Sequence, residues 1–421
     1  MGNIPRILIV AEHASARFGG EAVLPLHYFR FLRQRGADVH LLVHARTQTE
    51  LAVVLAGDLH RVHYIRDTAL HKGLNRAGQA IPARLAYFST GLVSRLSTQF
   101  SARTKAMAII AEQKIEVVHQ PIPVSPKEPS LLANMGVPVI MGPLNGGMTY
   151  PPAFRKIQTT AERVVISVAR PASHFVHRSL QGKLLATTVL VANERTRAAL
   201  PRGVQGRTVN LVENGVDLTL FATPPARSRP AGTLRALFVG RLVDWKALDV
   251  VLVALSQTDP GIEITLDVLG DGPMRAAWEA EVLRLGLQER VRFHGFVAQG
   301  EVAGHLAAAD VLVLPSLYEC GGAVVLEAMA VGRPVIATAW GGPADYLDNE
   351  TGILVSPDSR EALVAGFAAG LQRLALSPQD AEAMGRRARA RVEAHFGWQQ
   401  KIDEIIEIYR EGIARFAANQ A

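Results

Sequence analysis

The chain has 421 residues, 48% of them hydrophobic, more than one ordinary core takes up, which predicts two domains. Its single cysteine, Cys320, excludes an intrachain disulfide framework and fits a reducing compartment, the cytosol. The net charge of +7 is unevenly spread: no acidic residue falls between Thr68 and Ala111, where Lys72, Arg76, Arg84, Arg95, Arg103 and Lys105 lie, and Phe154 to Lys183 carries six basic residues against Glu162 alone.

Met1–Val10 lacks the basic start and cleavage site of a secretory signal and reads as a buried strand. No stretch reaches the roughly 18 uninterrupted apolar residues of a membrane span. Val/Ile/Leu-rich runs then alternate with helical patterns, the mark of parallel sheets with helical crossovers. Strands are predicted at Arg6–Ala11, Asp38–His44, Glu116–His119, Pro138–Met141, Thr188–Val191 and Val209–Val212. A helix is expected through Ile81, Leu85, Phe88, Leu92 and Leu96, packed on the first core or, through its basic flank, facing anionic lipid. Ala222–Gly232 (ATPPARSRPAG) continues neither strand nor helix and marks a linker. Beyond it, strands are predicted at Leu234–Val239, Glu263–Leu269, Val291–His294, Val311–Leu314, Pro334–Ala337 and Ile353–Val355. Past Arg360 the pattern is helical and closes with Trp398–Ala418, apolar at Ile402, Ile405, Ile406, Tyr409 and Ile413.

Open parallel sheets bind ligands at the carboxyl ends of their strands, so the residues just past each strand matter most. Arg241 and Lys246 follow the first strand of the second half. Glu319-Cys320-Gly321-Gly322 precedes a helix beginning Ala323-Val324, whose free N–H groups suit an anion. The two cations would clamp a diphosphate there, and Glu327 could accept hydrogen bonds from a ribose diol.

Glu319-x7-Glu327 with Ala328-Met329-Ala330-x-Gly332-x-Pro334-Val335 and Gly341-Gly342 resembles the signature of the family 4 retaining glycosyltransferases. Gly240-Arg241-x4-Lys246, Gly270-Asp271-Gly272-Pro273 and Asn214-Gly215-Val216-Asp217 resemble further blocks in the family's order. The resemblance implies the α/β GT-B fold: two Rossmann-like domains with parallel sheets facing across a cleft, at 1–221 for the acceptor and 233–395 for the sugar nucleotide. A last helix, 396–421, would return to the first domain.

The resemblance also implies that Arg241 and Lys246 meet the donor diphosphate, Glu327 the ribose, Glu319 the transferred sugar, and Gly321, Gly322, Ala323 and Val324 the sugar and phosphate. Gly19 and Gly20 resemble the family's glycine loop, or simply cap a turn. His119 resembles a histidine that meets the sugar, or satisfies only a backbone partner. Asn145-Gly146-Gly147 could line the acceptor side. Cys320 stands where the family usually has glycine and reads as a packing residue.

The implied activity is hexosyl transfer from a UDP- or GDP-sugar to a glycan or lipid-linked acceptor, with retention, in surface or exopolysaccharide synthesis. The alternatives are a sugar-nucleotide epimerase of the same fold and a non-catalytic sugar-nucleotide-binding subunit. Without an Asp-x-Asp motif the sequence calls for no metal, and beyond the nucleotide-sugar co-substrate no cofactor is expected. The expected location is cytoplasmic, with peripheral contact at an anionic inner membrane face, and no nucleic-acid motif accompanies the basic residues.

Overall fold

The structure is a computed structural model that describes residues 4–17, 20–79, 90–157, 176–224 and 229–420. Gly19, Arg84, Glu162, Arg163, Arg170, part of the linker and most of the helix expected from Ile81 lie outside the described residues. Contacts divide the chain into two units: Met1–Gly147, Ala161–Glu213 and Lys401–Ala421 form the first, and Met148–Thr160 with Asn214–Gln400 the second. The described part of Ala222–Gly232 lies within the second unit.

In the first unit the described strands form a seven-stranded parallel sheet. They are β1 (Ile7–Val10), β2 (Val39–His44), β3 (Val62–Ile65), β4 (Val117–Gln120), β5 (Val139–Leu144), β6 (Thr188–Val191) and β7 (Arg207–Asn210), in the order β3-β2-β1-β4-β5-β6-β7. Ile7, Leu8 and Ile9 have no exposed surface, as expected of a central strand covered on both faces. The order reverses between β1 and β4, so a crevice belongs at the carboxyl ends of these strands. The sequence reading passed over β3, an edge strand whose His63 and Tyr64 are only half-buried.

In the second unit six parallel strands are described: β8 (Thr233–Val239), β9 (Glu263–Leu269), β10 (Val291–Gly295), β11 (Val311–Leu314), β12 (Val335–Thr338) and β13 (Gly352–Val355), ordered β10-β9-β8-β11-β12-β13. The reversal here falls between β8 and β11. The helices Leu248–Ser256 and Arg360–Leu376 pack against one another over the sheet, with Leu252, Phe367 and Leu371 fully buried. Phe154, from the segment between β5 and β6, joins this core. The helix Trp398–Ala418 belongs to the second unit up to Gln400 and to the first from Lys401 onward.

The second basic stretch is dispersed. Lys183 is buried in the first unit and donates to the carbonyls of Ser125 (2.9 Å), Pro126 (3.2 Å) and Glu128 (2.6 Å), while Arg155 and Lys156 are exposed on the second. Burial lowers the Lys183 ammonium to about 7, Lys127 adds to the fall, and Glu128 opposes it.

Candidate functional site

The loops leaving β8, β9, β11 and β12 are tied to one another through their backbones. After β8, the Gly240 N–H donates to Leu269 O (2.9 Å) and the Leu242 N–H to Asp271 O (2.9 Å), which zips this loop to the one after β9. A Cβ on Gly270 would lie 1.9 Å from Gly240 O and one on Gly272 2.3 Å from Leu242 O, so the Gly-Asp-Gly-Pro turn needs its glycines for this close approach. The loops after β11 and β12 meet in the same way. The Gly342 N–H donates to Glu319 O (2.8 Å), and a Cβ on Gly342 would stand 2.0 Å from Gly321 O.

Two links join the β8 loop to the β11 loop. The Leu317 N–H donates to Trp245 O at 2.8 Å, and the Lys246 ammonium pairs with the Glu319 carboxylate, both side chains being mostly buried. Ala247, directly after Lys246, has the left-handed φ of 49°, a conformation that costs a residue with a Cβ about 1 kcal/mol or more. Such local strain is tolerated where surrounding structure fixes it, and here it carries the chain from Lys246 into the helix Leu248–Ser256. Arg241 is exposed.

Gly322 (φ 80°) caps the helix Ala323–Ala330 with no side-chain hydrogen bond to its first N–H groups. These donors, with the positive end of the helix dipole, suit an anion beside Glu319–Gly322. Glu327, in the second turn, is half-buried. Burial pushes its carboxyl up to about 7, against a hydrogen bond with Gln299 that lowers it. Thus Lys246, Glu319, Gly321, Gly322, Ala323, Val324 and Glu327 lie on one loop-and-helix assembly, with Arg241 on the neighbouring strand exit.

The segment after β5 adds residues that the sequence reading did not single out. Trp340 donates from its indole N–H to Thr149 O (2.7 Å), the Tyr150 and Tyr318 rings lie 5.2 Å apart, and Met148 reaches Gly341. No periodicity announces this irregular segment.

In the first unit the predicted residues part company. His119 has no exposed surface. Its Nε2 is 2.7 Å from Gly142 O and its Nδ1 2.7 Å from the Tyr409 hydroxyl, so the neutral ring donates to the carbonyl and accepts from the phenol. Burial lowers its pKa to about 4, and the Gly142 bond opposes the fall. Asn145 is likewise buried, and Gly147 (φ 72°) packs against Arg195 O. Gly20 is exposed with φ 54°.

A cavity of about 390 Å³ opens beyond β1, β2, β3 and β4, lined among others by His13, Glu21, His44, Asp67 and Arg95. The sequence reading missed these residues. The signal was their place: His13, His44 and Asp67 stand at or just past strand ends.

Comparison with known proteins gives a consistent set of likenesses. Residues 224–391 match the family described as "Glycosyl transferases group 1". A D-inositol 3-phosphate glycosyltransferase of Kineococcus radiotolerans is 29% identical over 99% of this chain and 98% of its own length. A 2-deoxystreptamine glucosyltransferase of Streptomyces kanamyceticus is 30% identical over 55% of this chain and 61% of its own length. Among solved structures, the Anabaena protein HepE in complex with UDP superposes with a TM-score of 0.65 at 17% identity, covering 96% of this chain and 100% of HepE. HepE has also been solved with UDP-glucose.

Proposed function

We propose that this chain, which has the GT-B fold and matches the group 1 glycosyltransferases over residues 224–391, transfers a hexose from a nucleoside diphosphate sugar to a glycan or lipid-linked acceptor, with retention of anomeric configuration. The observation that carries this reading is the joining of the β8 and β11 loops, which sets Lys246 and the uncapped N-terminus of Ala323–Ala330 around Glu319–Gly322. Arg241 and Lys246 neutralise the donor diphosphate, Glu327 accepts the ribose hydroxyls, and Glu319 holds the sugar. HepE's complexes with UDP and UDP-glucose support a UDP-hexose over a GDP-hexose.

In the transfer, the acceptor oxygen bonds to the anomeric carbon on the face from which the phosphate oxygen departs. The bond to that phosphate breaks, and the acceptor's proton passes to a phosphate oxygen. No protein nucleophile is required, and the protein contributes cations and N–H donors aimed at the leaving group. His119, enclosed by Gly142 and Tyr409, has a structural place in this scheme, holding β4 to β5 and to the last helix. Gly20 remains in the loop assigned to backbone approach.

The polysaccharide setting rests on peripheral membrane contact. Val93, Phe100 and Met107 are exposed at seven-residue spacing along the helix Thr90–Gln113, and Arg76 and Lys105 are exposed on the same unit. The apolar stripe suits a bilayer surface, and basic residues elsewhere on the unit would each contribute about 1 kcal/mol near anionic lipid. Among the described residues no helix is long and apolar enough to cross a membrane. Co-sedimentation with anionic liposomes at low salt tests the contact, and failure to sediment removes it.

The donor assignment is tested by thermal stabilisation with UDP-, GDP- and ADP-sugars. One donor should raise the melting temperature, and E327A and R241A should abolish the shift. A folded wild type that responds to none of them refutes the assignment.

A further inference from the structure

The cavity beyond β1–β4 is a second polar site, and its charges are unequally matched. Among the described residues, four carboxylates, from Glu12, Glu21, Asp67 and Glu128, line it against two guanidinium groups, from Arg46 and Arg95. Each guanidinium already has a carboxylate. Arg46 donates to Glu12 at 3.3 Å and Arg95 to Glu128 at 2.7 Å, the second pair with little exposure on either side chain.

Two acids are left over: Asp67, which stands beside His44, and Glu21. The Glu21 carboxylate accepts only a long bond from the Val124 N–H, at 3.4 Å, and among the described residues no basic side chain pairs with it. Glu21 is exposed on its outer side, yet the atoms packed around its carboxyl raise its pKa, and Glu128 and Glu12 raise it further, while the Val124 N–H and Arg95 oppose the rise. A cation placed beside Glu21 would relieve the repulsion from Glu128 and Glu12.

An independent observation points into the same space. His44 is 2% exposed, and its Nδ1 accepts from the Arg46 N–H at 3.2 Å, which puts the ring hydrogen on Nε2. That Nε2 lies 3.3 Å from Asp67 Oδ1, a contact that acts to raise the His44 pKa against burial, but no well-directed hydrogen bond satisfies it among the described residues. Burial and Arg46 lower the His44 pKa, so the ring is neutral at pH 7 and offers one N–H. A buried donor without a partner is costly, and a ligand hydroxyl would satisfy it.

We propose that this cavity binds an amine-bearing polyol, such as an amino sugar or aminocyclitol, with its ammonium at Glu21 and a hydroxyl at His44 Nε2. As the acceptor pocket of the transfer this assignment rests on the reading above, but the binding itself does not. A phosphorylated polyol is disfavoured there, because both guanidinium groups are engaged and the remaining charge is negative.

The test uses the full chain and three probes at neutral pH, glucosamine, glucose and glucose 6-phosphate, titrated by ligand-observed NMR beside UDP-glucose. Glucosamine should bind about tenfold tighter than glucose, in line with a hydrogen bond to a charged group, and glucose 6-phosphate more weakly than either. E21Q, which keeps an oxygen for the Val124 N–H, should abolish the amine preference and leave UDP-glucose binding unchanged. Phosphate binding equal to or tighter than glucose overturns the proposal, as does an E21Q variant with the preference intact. If no probe binds while UDP-glucose does, the pocket assignment fails and the donor reading stands. Glu21-dependent glucosamine binding without UDP-glucose binding upholds the pocket and removes the donor reading.

Discussion

Glu327 couples donor binding to pH in a way that can be worked out in advance. Its carboxyl sits at about 7 in the free protein because burial disfavours the charge, yet its proposed role of accepting two ribose hydroxyls calls for the carboxylate. At about pH 6 some nine-tenths of the molecules carry the proton, and at about pH 8 about one-tenth do. Affinity for UDP-glucose should therefore fall about tenfold from pH 8 to pH 6, and binding near pH 7 should release about half a proton. UDP-glucose suits the measurement because its diphosphate is a diester and does not titrate in this range. Calorimetry in two buffers of different ionisation heat reads both quantities.

E327Q should bind weakly with no pH dependence. It should also be the more stable protein at alkaline pH. The folded value of Glu327 lies above the ordinary carboxylate value, so its contribution to stability is present below about pH 4.5 and lost as pH rises through 7, a difference on the order of 3 kcal/mol at most. A pH-independent wild-type affinity, or an E327Q variant that keeps the slope, would refute the placement of the ribose at this residue.

R241A should leave stability unchanged within about 0.5 kcal/mol, since the side chain is exposed, yet lower turnover by about a hundredfold or more, as measured by UDP release. G342A would place a Cβ 2.0 Å from Gly321 O and should destabilise the second unit by about 1–3 kcal/mol, with loss of the UDP-glucose thermal shift. Y409F removes the hydrogen bond to buried His119 Nδ1 and should cost the first unit about 1–3 kcal/mol, visible as faster amide exchange in β4 and β5. His119 also sets an acid limit. Its folded pKa of about 4 lies below the unfolded value, so stability is full above about pH 6.5 and falls as pH drops towards 4, by about 2 kcal/mol at pH 5, which intrinsic-rate-corrected exchange at pH 7 and 5 measures.

The strands were legible where both faces are covered, because Ile7–Val10 or Val311–Leu314 must then be apolar throughout. Val62–Ile65 was not, because an edge strand tolerates half-buried residues such as His63 and Tyr64. The spacing of Glu319 and Glu327 and the positions of Arg241 and Lys246 could be read from the chain because each sits at a strand exit or on the helix that follows. The face on which a residue lands is harder. His119 was correctly placed at a strand end, but only the packing of Tyr28 and Tyr409 around it shows that the ring is enclosed. The segment 148–157 was opaque for another reason: it is held by an indole hydrogen bond and by Phe154 in the second core, and neither leaves a sequence period. The β1–β4 cavity collects side chains from four strand exits, so no local motif contains it.

The hydrogen bond between His119 and Tyr409 joins residues 290 positions apart. A chain made from its N-terminus outward ordinarily folds its first domain first. Here β1 to β7 are synthesised early, but the unit they build lacks Lys401–Ala421 until the whole second unit has been made. The second unit needs nothing beyond Gln400. It can therefore finish while the first still waits with the slot for Tyr409 unfilled, so nascent chains arrested at Gln400 should expose the apolar surface of the unit made first, and loss of the segment from Lys401 onward should damage the opposite end of the sequence.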